Sequence, residues 1–397
     1  MKLAIVVPRY GSEIVGGAET FARQLAEQLP APEFEVEVWT TCTDNLGEGG
    51  NVYPRGPQQS KGVSIHRFPV DRRFRDPGLF HELTARFISC EPTTVEDEYA
   101  WIDNNVHSPQ LYAHIIQHGR EFDILLFIPY LYGITFYGAS IWPERSVIWP
   151  CLHDEPFARF LQTRIMLASS RGVMFNSEAE LALARDQLGI PVARPYVVGG
   201  TINEVESDAT RFGERSGINE PFLLYAGRLD FTKNVLELVD FFVAYKEDRP
   251  GPLKLVLMGK GDLSIAAHPD VEVIGFQSEE RKQDVYAAAT VVVQPSLKES
   301  FSIVIMESWL AGVPVLVHSG CNVTRTHVQR SNGGLYYACF SEFAGVLDWF
   351  LSHPGERKHM AELGRAYVKR RYSHDAVLGR FRRAVSLWTG EDLVAVG

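Results

Sequence analysis

The sequence predicts two doubly wound α/β domains facing a cleft. Three observations carry this reading. Short apolar runs recur through the whole chain, most of them near-continuous Val/Ile/Leu stretches closed by Gly, Pro, Asn or Asp, as expected for strands covered on both faces. Helical patterns lie between several of them, and strands alternating with helices imply parallel sheets. The pattern then restarts after a stretch at 199–219 rich in Gly, Glu, Ser and Asn, and 397 residues are enough for two domains.

In the first half the strand candidates are "KLAIVVP", "FEVEVWTT", "VSIHRFP", "DILLFIP", "SVIWPCLHD", "GVMFNS" and "PYVVGG". A helix after "GGAE" repeats Phe21, Leu25 and Leu29 every four residues; another, with Leu181, Ala184 and Leu188, follows the start signal at Asn176 to Glu178. The uncharged stretch Ile124 to Trp142 contains Pro129, Gly133 and Gly138 and reads as a buried strand plus a loop, not a membrane span. Residues 199–219 suit a linker. Beyond them come "FLLYAGRL", "LKLVLMGKG", "VEVIGF", "VVVQPS", "PVLVHS" and "GGLYY". The final helix carries Val377, Leu378, Phe381, Ala384, Val385 and Trp388 on one stripe, so it must pack on one of the domains.

Composition excludes several functions. A net charge of −10 argues against a nucleic-acid partner, which needs a basic field. Five scattered cysteines with no Cys-x-x-Cys pair argue against a disulfide framework or zinc site and fit a reducing compartment. The N-terminal apolar run is too short for a secretion signal, so the expected location is cytoplasmic. The cluster Arg67, Arg72, Arg73 and Arg75 leaves peripheral contact at the inner membrane face open, beside the plainer reading of a solvated loop.

Ligands of parallel sheets sit at the carboxyl ends of strands, so informative residues should follow strands. In "PSLKESFSIVIMESWLAG", Glu299 sits in the loop and Glu307 eight residues on, among Ile, Val, Met and Trp. A helix over "FSIVIMESWLAG" would aim the amides of Ser300 and Phe301 at an oxyanion or hydroxyl, and eight helical residues span roughly 12 Å, comparable to a diphosphate-linked sugar. Two glutamates alone also fit a solvated helix face. In "YAGRLDFTKN", Arg228 and Lys233 follow a strand ending at Gly227; a guanidinium fork and a compact ammonium suit a diphosphate leaving group. Glycines Gly16 and Gly17 in "RYGSEIVGGAET" let backbone approach a ligand at a helix start. His153 and Asp154 in "WPCLHDEP" fit a sugar-facing histidine held by its neighbour, or a structural pair. Gly259 and Gly261 in "LVLMGKGDLS" resemble a dinucleotide fingerprint broken at Ser264.

Spaced in this way, "GGAE", "HDEP", "GRLDFTKN", "GKGD" and "PSLKESFSIVIMESWLAGVPV" resemble the retaining glycosyltransferases of family 4, whose two Rossmann-like domains form the GT-B fold. The resemblance implies transfer of a hexose from a nucleotide-diphosphate sugar (UDP-, GDP- or ADP-linked) to a carbohydrate or lipid-linked hydroxyl acceptor, in polysaccharide, glycolipid or glycoconjugate synthesis. It implies no cofactor beyond the donor and no metal; the chain has no Asp-x-Asp triplet. Carried over, His153, Arg228, Lys233 and Glu299 form the catalytic set. Gly16, Gly17, Asp154, Gly227, Gly259, Ser300, Phe301, Ser302 and Glu307 join Arg228, Lys233 and Glu299 around the donor, with Glu307 on the ribose. The resemblance also returns the C-terminal helix to the first domain, giving domains at 1–198 plus 376–397, and 199–375. Asn234 stands where the family commonly has glycine. Rival readings are a nucleotide-sugar epimerase of the same architecture, a dehydrogenase lacking a full fingerprint, and a non-catalytic sugar-nucleotide binding module.

Overall fold

The structure, a computed structural model, describes every residue except Val15, Glu48, Gly49, Phe74 and 392–397. The end of the expected segment 376–397 thus lies outside the described residues. The chain divides into two compact units: Met1–Thr201 with the stretch that begins at Val377, and Ile202–Ala376.

The first unit is built on an eight-stranded sheet. Its strands are β1 (Lys2–Val6), β2 (Glu35–Thr41), β3 (Gly56–Ser60), β4 (Val63–Phe68), β5 (Ile124–Phe127), β6 (Ser146–Ile148), β7 (Gly172–Phe175) and β8 (Pro195–Val197), in the order β3-β4-β2-β1-β5-β6-β7-β8. Every pairing is parallel except β3 with β4. The central strands are buried along almost their whole length, which is why they read as unbroken apolar runs. Strand β3, "GPQQS", is mostly exposed and has no apolar alternation. It forms because Ser60 pairs with Val63 across Lys61-Gly62, both at positive φ, a two-residue hairpin turn.

Two expectations for this unit need correction. The stretch after β5 is not only loop: Gly133–Ile141 is a helix whose inner face buries Ile134, Phe136 and Ala139. The arginine cluster is not a solvated loop throughout either. Arg67 is buried, and Arg72 and Arg75 donate to the carbonyls of Asn45, Gly47 and Asn104. The terminal helix, His374–Thr389, buries Val377, Phe381, Ala384, Val385 and Trp388. Its Trp388 indole donates to the Arg194 carbonyl at 2.9 Å, and Phe381 meets Phe34 with ring centroids 5.7 Å apart. No helix among the described residues is long and apolar enough to cross a membrane.

The second unit holds six strands, each within a run singled out in the sequence: β9 (Phe222–Ala226), β10 (Lys254–Met258), β11 (Val271–Gly275), β12 (Val291–Gln294), β13 (Val315–His318) and β14 (Gly334–Tyr337). Their order is β11-β10-β9-β12-β13-β14, all parallel. The expected linker is partly a helix, Ala209–Ser216, capped by the Asp208 side chain. It is fastened by a bidentate pair from Arg211 to Asp284 and by Phe212 against Phe222. Its polar composition hides this, because only Phe212 faces inward.

Candidate active site

In the second unit, β9 ends at Gly227 and the chain enters the loop that carries both predicted cations. Tyr225, buried in β9, donates its hydroxyl to the Arg228 carbonyl at 2.6 Å and so fixes the first turn of that loop. The Arg228 side chain is largely exposed and pairs with Asp230 at 3.0 Å. Asp230 in turn caps one short helical turn, Phe231–Lys233. Asn234 follows in the left-handed conformation, φ 56° and ψ 32°, one that glycine adopts without strain and asparagine tolerates. Its amide reaches Glu237 at 2.8 Å and the Pro295 carbonyl at 3.3 Å, tying this loop to the one after β12. The loop beyond β10 packs against the same segment. A Cβ at Gly259 would lie 1.7 Å from the Gly227 carbonyl oxygen, and one at Gly261 2.0 Å from that of Leu229. The broken fingerprint therefore has a structural reason: two loop backbones touch, joined by hydrogen bonds from Gly227 to Met258 and from Leu229 to Lys260.

That packing brings predicted residues together. The Lys233 ammonium meets the Glu299 carboxylate at 2.7 Å, with side chains only 18% and 11% exposed. Burial pushes the Tyr225 hydroxyl far above its ordinary pKa; the charges of Glu299 and Asp230 push the same way and Arg228 opposes them. Glu307 lies deeper. Lys282 donates to one of its oxygens at 2.6 Å and Tyr286 to the other at 3.0 Å. Burial raises the Glu307 pKa, with the Lys282 charge pulling it back. Tyr286 also lies within electrostatic reach of Tyr225.

One expectation changes. The helix after β12 begins at Ile303, not at Phe301. Ser302 sits at φ 68°, ψ 81°, outside helical space, and receives a hydrogen bond from Gln294 at 3.4 Å. The amides of Ser300 and Phe301 therefore precede the helix, and the Glu299–Glu307 span is not eight helical residues. Phe301 packs inward, edge-on to Tyr372 with centroids 4.8 Å apart.

The other predicted residues lie in the first unit. Gly16 and Gly17 lead into the helix Gly17–Gln28; a Cβ at Gly17 would meet nothing within 4 Å, so local packing does not demand that glycine. His153 follows β6. Asp154 does not hold it: Asp154 pairs with Arg159 at 2.7 Å. The carboxylate beside His153 is Glu155, 4.0 Å away, which accepts from Tyr130 at 2.6 Å. The backbone just before the histidine is unusual. Cys151 has φ 54°, and the fully buried Glu180 accepts from the amides of Leu152 at 2.5 Å and Asn176 at 2.6 Å. Burial pushes Glu180 up to about 8 despite those hydrogen bonds.

Sequence reasoning missed Lys282, Tyr286, Asp230 and Glu180. Lys282 and Tyr286 are four apart on the helix Glu279–Ala288 and so share a face, but only the tertiary fold aims that face at Glu307.

Residues 206–367, which contain Arg228, Lys233, Glu299 and Glu307 but not the predicted residues of the first unit, match the family model described as "Glycosyl transferases group 1". The chain is 25% identical, over 95% of its length and 96% of the relative's, to an uncharacterized glycosyltransferase of Methanocaldococcus jannaschii. The protein is a glycosyltransferase. Its fold is GT-B, with two parallel-sheet Rossmann-like domains. Sucrose-phosphate synthase of Thermosynechococcus elongatus superposes on this glycosyltransferase with a TM-score of 0.72 at 17% identity, covering 96% of this chain and 98% of that one. Anabaena HepE in complex with UDP-glucose does so with a TM-score of 0.67 at 16% identity, covering 97% and 99%.

Proposed function

We propose that this glycosyltransferase is a retaining enzyme of family 4 that moves a hexose from a nucleotide-diphosphate sugar to a hydroxyl acceptor. The observation that carries this reading is the contact in the second unit between Glu299 and Lys233, whose loop also carries Arg228 and is pinned by Tyr225, together with the Lys282 and Tyr286 cluster on Glu307. Solved proteins of the same fold include one described in complex with UDP-glucose, which supports a nucleotide sugar as the donor class.

In this reading Arg228 and Lys233 neutralise the diphosphate as it departs. The stabilisation acts where charge grows, so it lowers the barrier rather than merely tightening binding. The acceptor hydroxyl attacks the anomeric carbon from the face that the diphosphate leaves. The old carbon–oxygen bond breaks, the new one forms, and the hydroxyl proton passes to a phosphate oxygen of the leaving group. Glu299 accepts hydrogen bonds from sugar hydroxyls while holding Lys233. A carboxylate has about four lone-pair positions, so Glu307 can keep Lys282 and Tyr286 and still accept from two ribose hydroxyls. No side chain forms a covalent intermediate, and in this reading the two cations neutralise the charge that a metal would otherwise offset.

The test is product analysis with UDP-, GDP- and ADP-hexoses and a panel of sugar and lipid-linked acceptors, with and without EDTA. The expected result is an acceptor-dependent product with the donor's anomeric configuration, unaffected by chelator. An inverted product, or an isomerised sugar nucleotide formed without acceptor, would replace this reading with another.

A further inference from the structure

The first unit contains a cavity that the donor reading does not use. Its volume is about 310 Å³, and it lies among the loop after β1, the helix Gly17–Gln28 and the β3–β4 hairpin. Its walls include Tyr10, Glu13, Arg23, Tyr53, Gln58 and Arg67. We propose that this cavity is a binding site for a neutral polyhydroxylated ring, a monosaccharide or cyclitol, separate from the donor site of the second unit.

Charge balance argues for a neutral occupant. Lys61 and Glu27, both in the wall, pair with each other at 3.5 Å. That leaves Arg23, Arg67 and Glu13, too mixed for a divalent cation and partly offset for a phosphate. Arg67, 5% exposed, is held by uncharged acceptors: the Tyr10 carbonyl at 2.6 Å, Gln58 Oε1 at 3.2 Å and the Thr41 carbonyl at 3.4 Å. Its guanidinium also lies over the Tyr53 ring, 4.4 Å from the centroid. A buried cation fixed without a carboxylate in its hydrogen-bond shell is a rigid donor.

A second observation points to a missing partner. Tyr10 is 3% exposed and its hydroxyl has no hydrogen-bond partner, although Glu27, Arg23 and Arg67 from the same walls act on it electrostatically. Buried hydroxyls are ordinarily satisfied, so an orphan beside a polar cavity calls for a ligand or water. Glu13 supplies an ionised acceptor: burial raises its pKa, but hydrogen bonds from Tyr53 and Ser12 and the Arg67 charge prevail and lower it. An ionised acceptor, fixed donors, a side-chain amide and two aromatic rings around a half-open cavity form the pattern that ring hydroxyls require. The proposal does not rest on the donor reading, since it concerns binding by different residues.

The test is ligand-observed NMR on the full chain with glucose, mannose, N-acetylglucosamine and myo-inositol, each alone, and with inorganic phosphate as a control. At least one neutral ring should bind with a dissociation constant on the order of 1 mM. Glu13→Gln and Tyr53→Phe, both near the surface, should each weaken that binding about tenfold. Glu299→Gln, in the other unit, should leave it unchanged, and circular dichroism checks the folding of each variant. The proposal is overturned if none of the four rings binds, if phosphate alone binds, or if binding survives Glu13→Gln and is lost in Glu299→Gln.

Discussion

Replacing Lys233 by methionine is the sharpest perturbation of the site. The ammonium lies 2.7 Å from Glu299, and both side chains are largely shielded from water. An exposed pair contributes about 0–1 kcal/mol, while removing one partner of a fully buried pair costs about 3–5 kcal/mol. With 18% and 11% exposure the pair lies between these limits, so Lys233→Met should cost about 2 kcal/mol of stability. For a unit of this size that is a fall in Tm of roughly 4–8 °C. Glu299→Gln should cost less, because the lysine stem can swing its charge toward solvent. The double variant should recover part of the loss, with a coupling of about 1–2 kcal/mol. Chemical denaturation of the four proteins measures this cycle. Turnover, read well below every Tm, should fall about 10²–10³-fold in Lys233→Met, because the cation proposed to face the leaving group is gone. Strict additivity with no coupling, together with wild-type turnover in Lys233→Met, would refute the reasoning.

Arg228→Ala provides a contrast: its exposed pair with Asp230 should leave Tm almost unchanged while transferase activity drops about 100-fold. Gly259→Ala places a Cβ 1.7 Å from the Gly227 carbonyl; thermal unfolding should show a loss of about 3 kcal/mol or more, and an unchanged Tm would contradict the loop contact. Glu180 is pushed up to about 8 in the folded protein, so its contribution is full below the unfolded value near 4.5 and is lost as pH rises through 8; Glu180→Gln should flatten that part of a stability–pH curve. His114 has the opposite sign. Burial, then His118 and His66, lower it from 6.5 to about 4, so its contribution is present above 6.5 and fades as pH falls toward 4. Denaturation of His114→Phe across that window should lack this slope.

The strands were legible because parallel-sheet cores favour near-continuous apolar runs: the second unit's six strands and seven of the first unit's eight fall within the apolar stretches read from the sequence, though β2, β4 and β11 interleave polar residues. The exception, β3, is an edge strand made by its hairpin turn, and Lys61-Gly62 was the only local sign of it. The helix Ala209–Ser216 was hidden because an ion pair to Asp284 and one phenylalanine anchor it. At the candidate site, spacing after strands singled out Arg228, Lys233, Glu299 and Glu307 and the resemblance supplied their roles, but the partners of Glu307 come from elsewhere in the chain. Lys282 and Tyr286 reach Glu307 across 25 and 21 residues, a proximity no local pattern encodes. The start of the helix after β12 was misplaced because Ser302 takes a left-handed conformation that its residue type does not announce.

The central claim, that the second unit clamps a nucleotide-diphosphate sugar through these side chains, is tested most directly by calorimetric titration of UDP-, GDP- and ADP-linked hexoses into the wild-type protein and the Lys233→Ala and Glu307→Ala variants. The account predicts that at least one donor binds the wild-type protein and that each variant, still folded, loses at least about tenfold in affinity. A donor that binds all three proteins equally well, or no binding by any donor to the wild type, would contradict it.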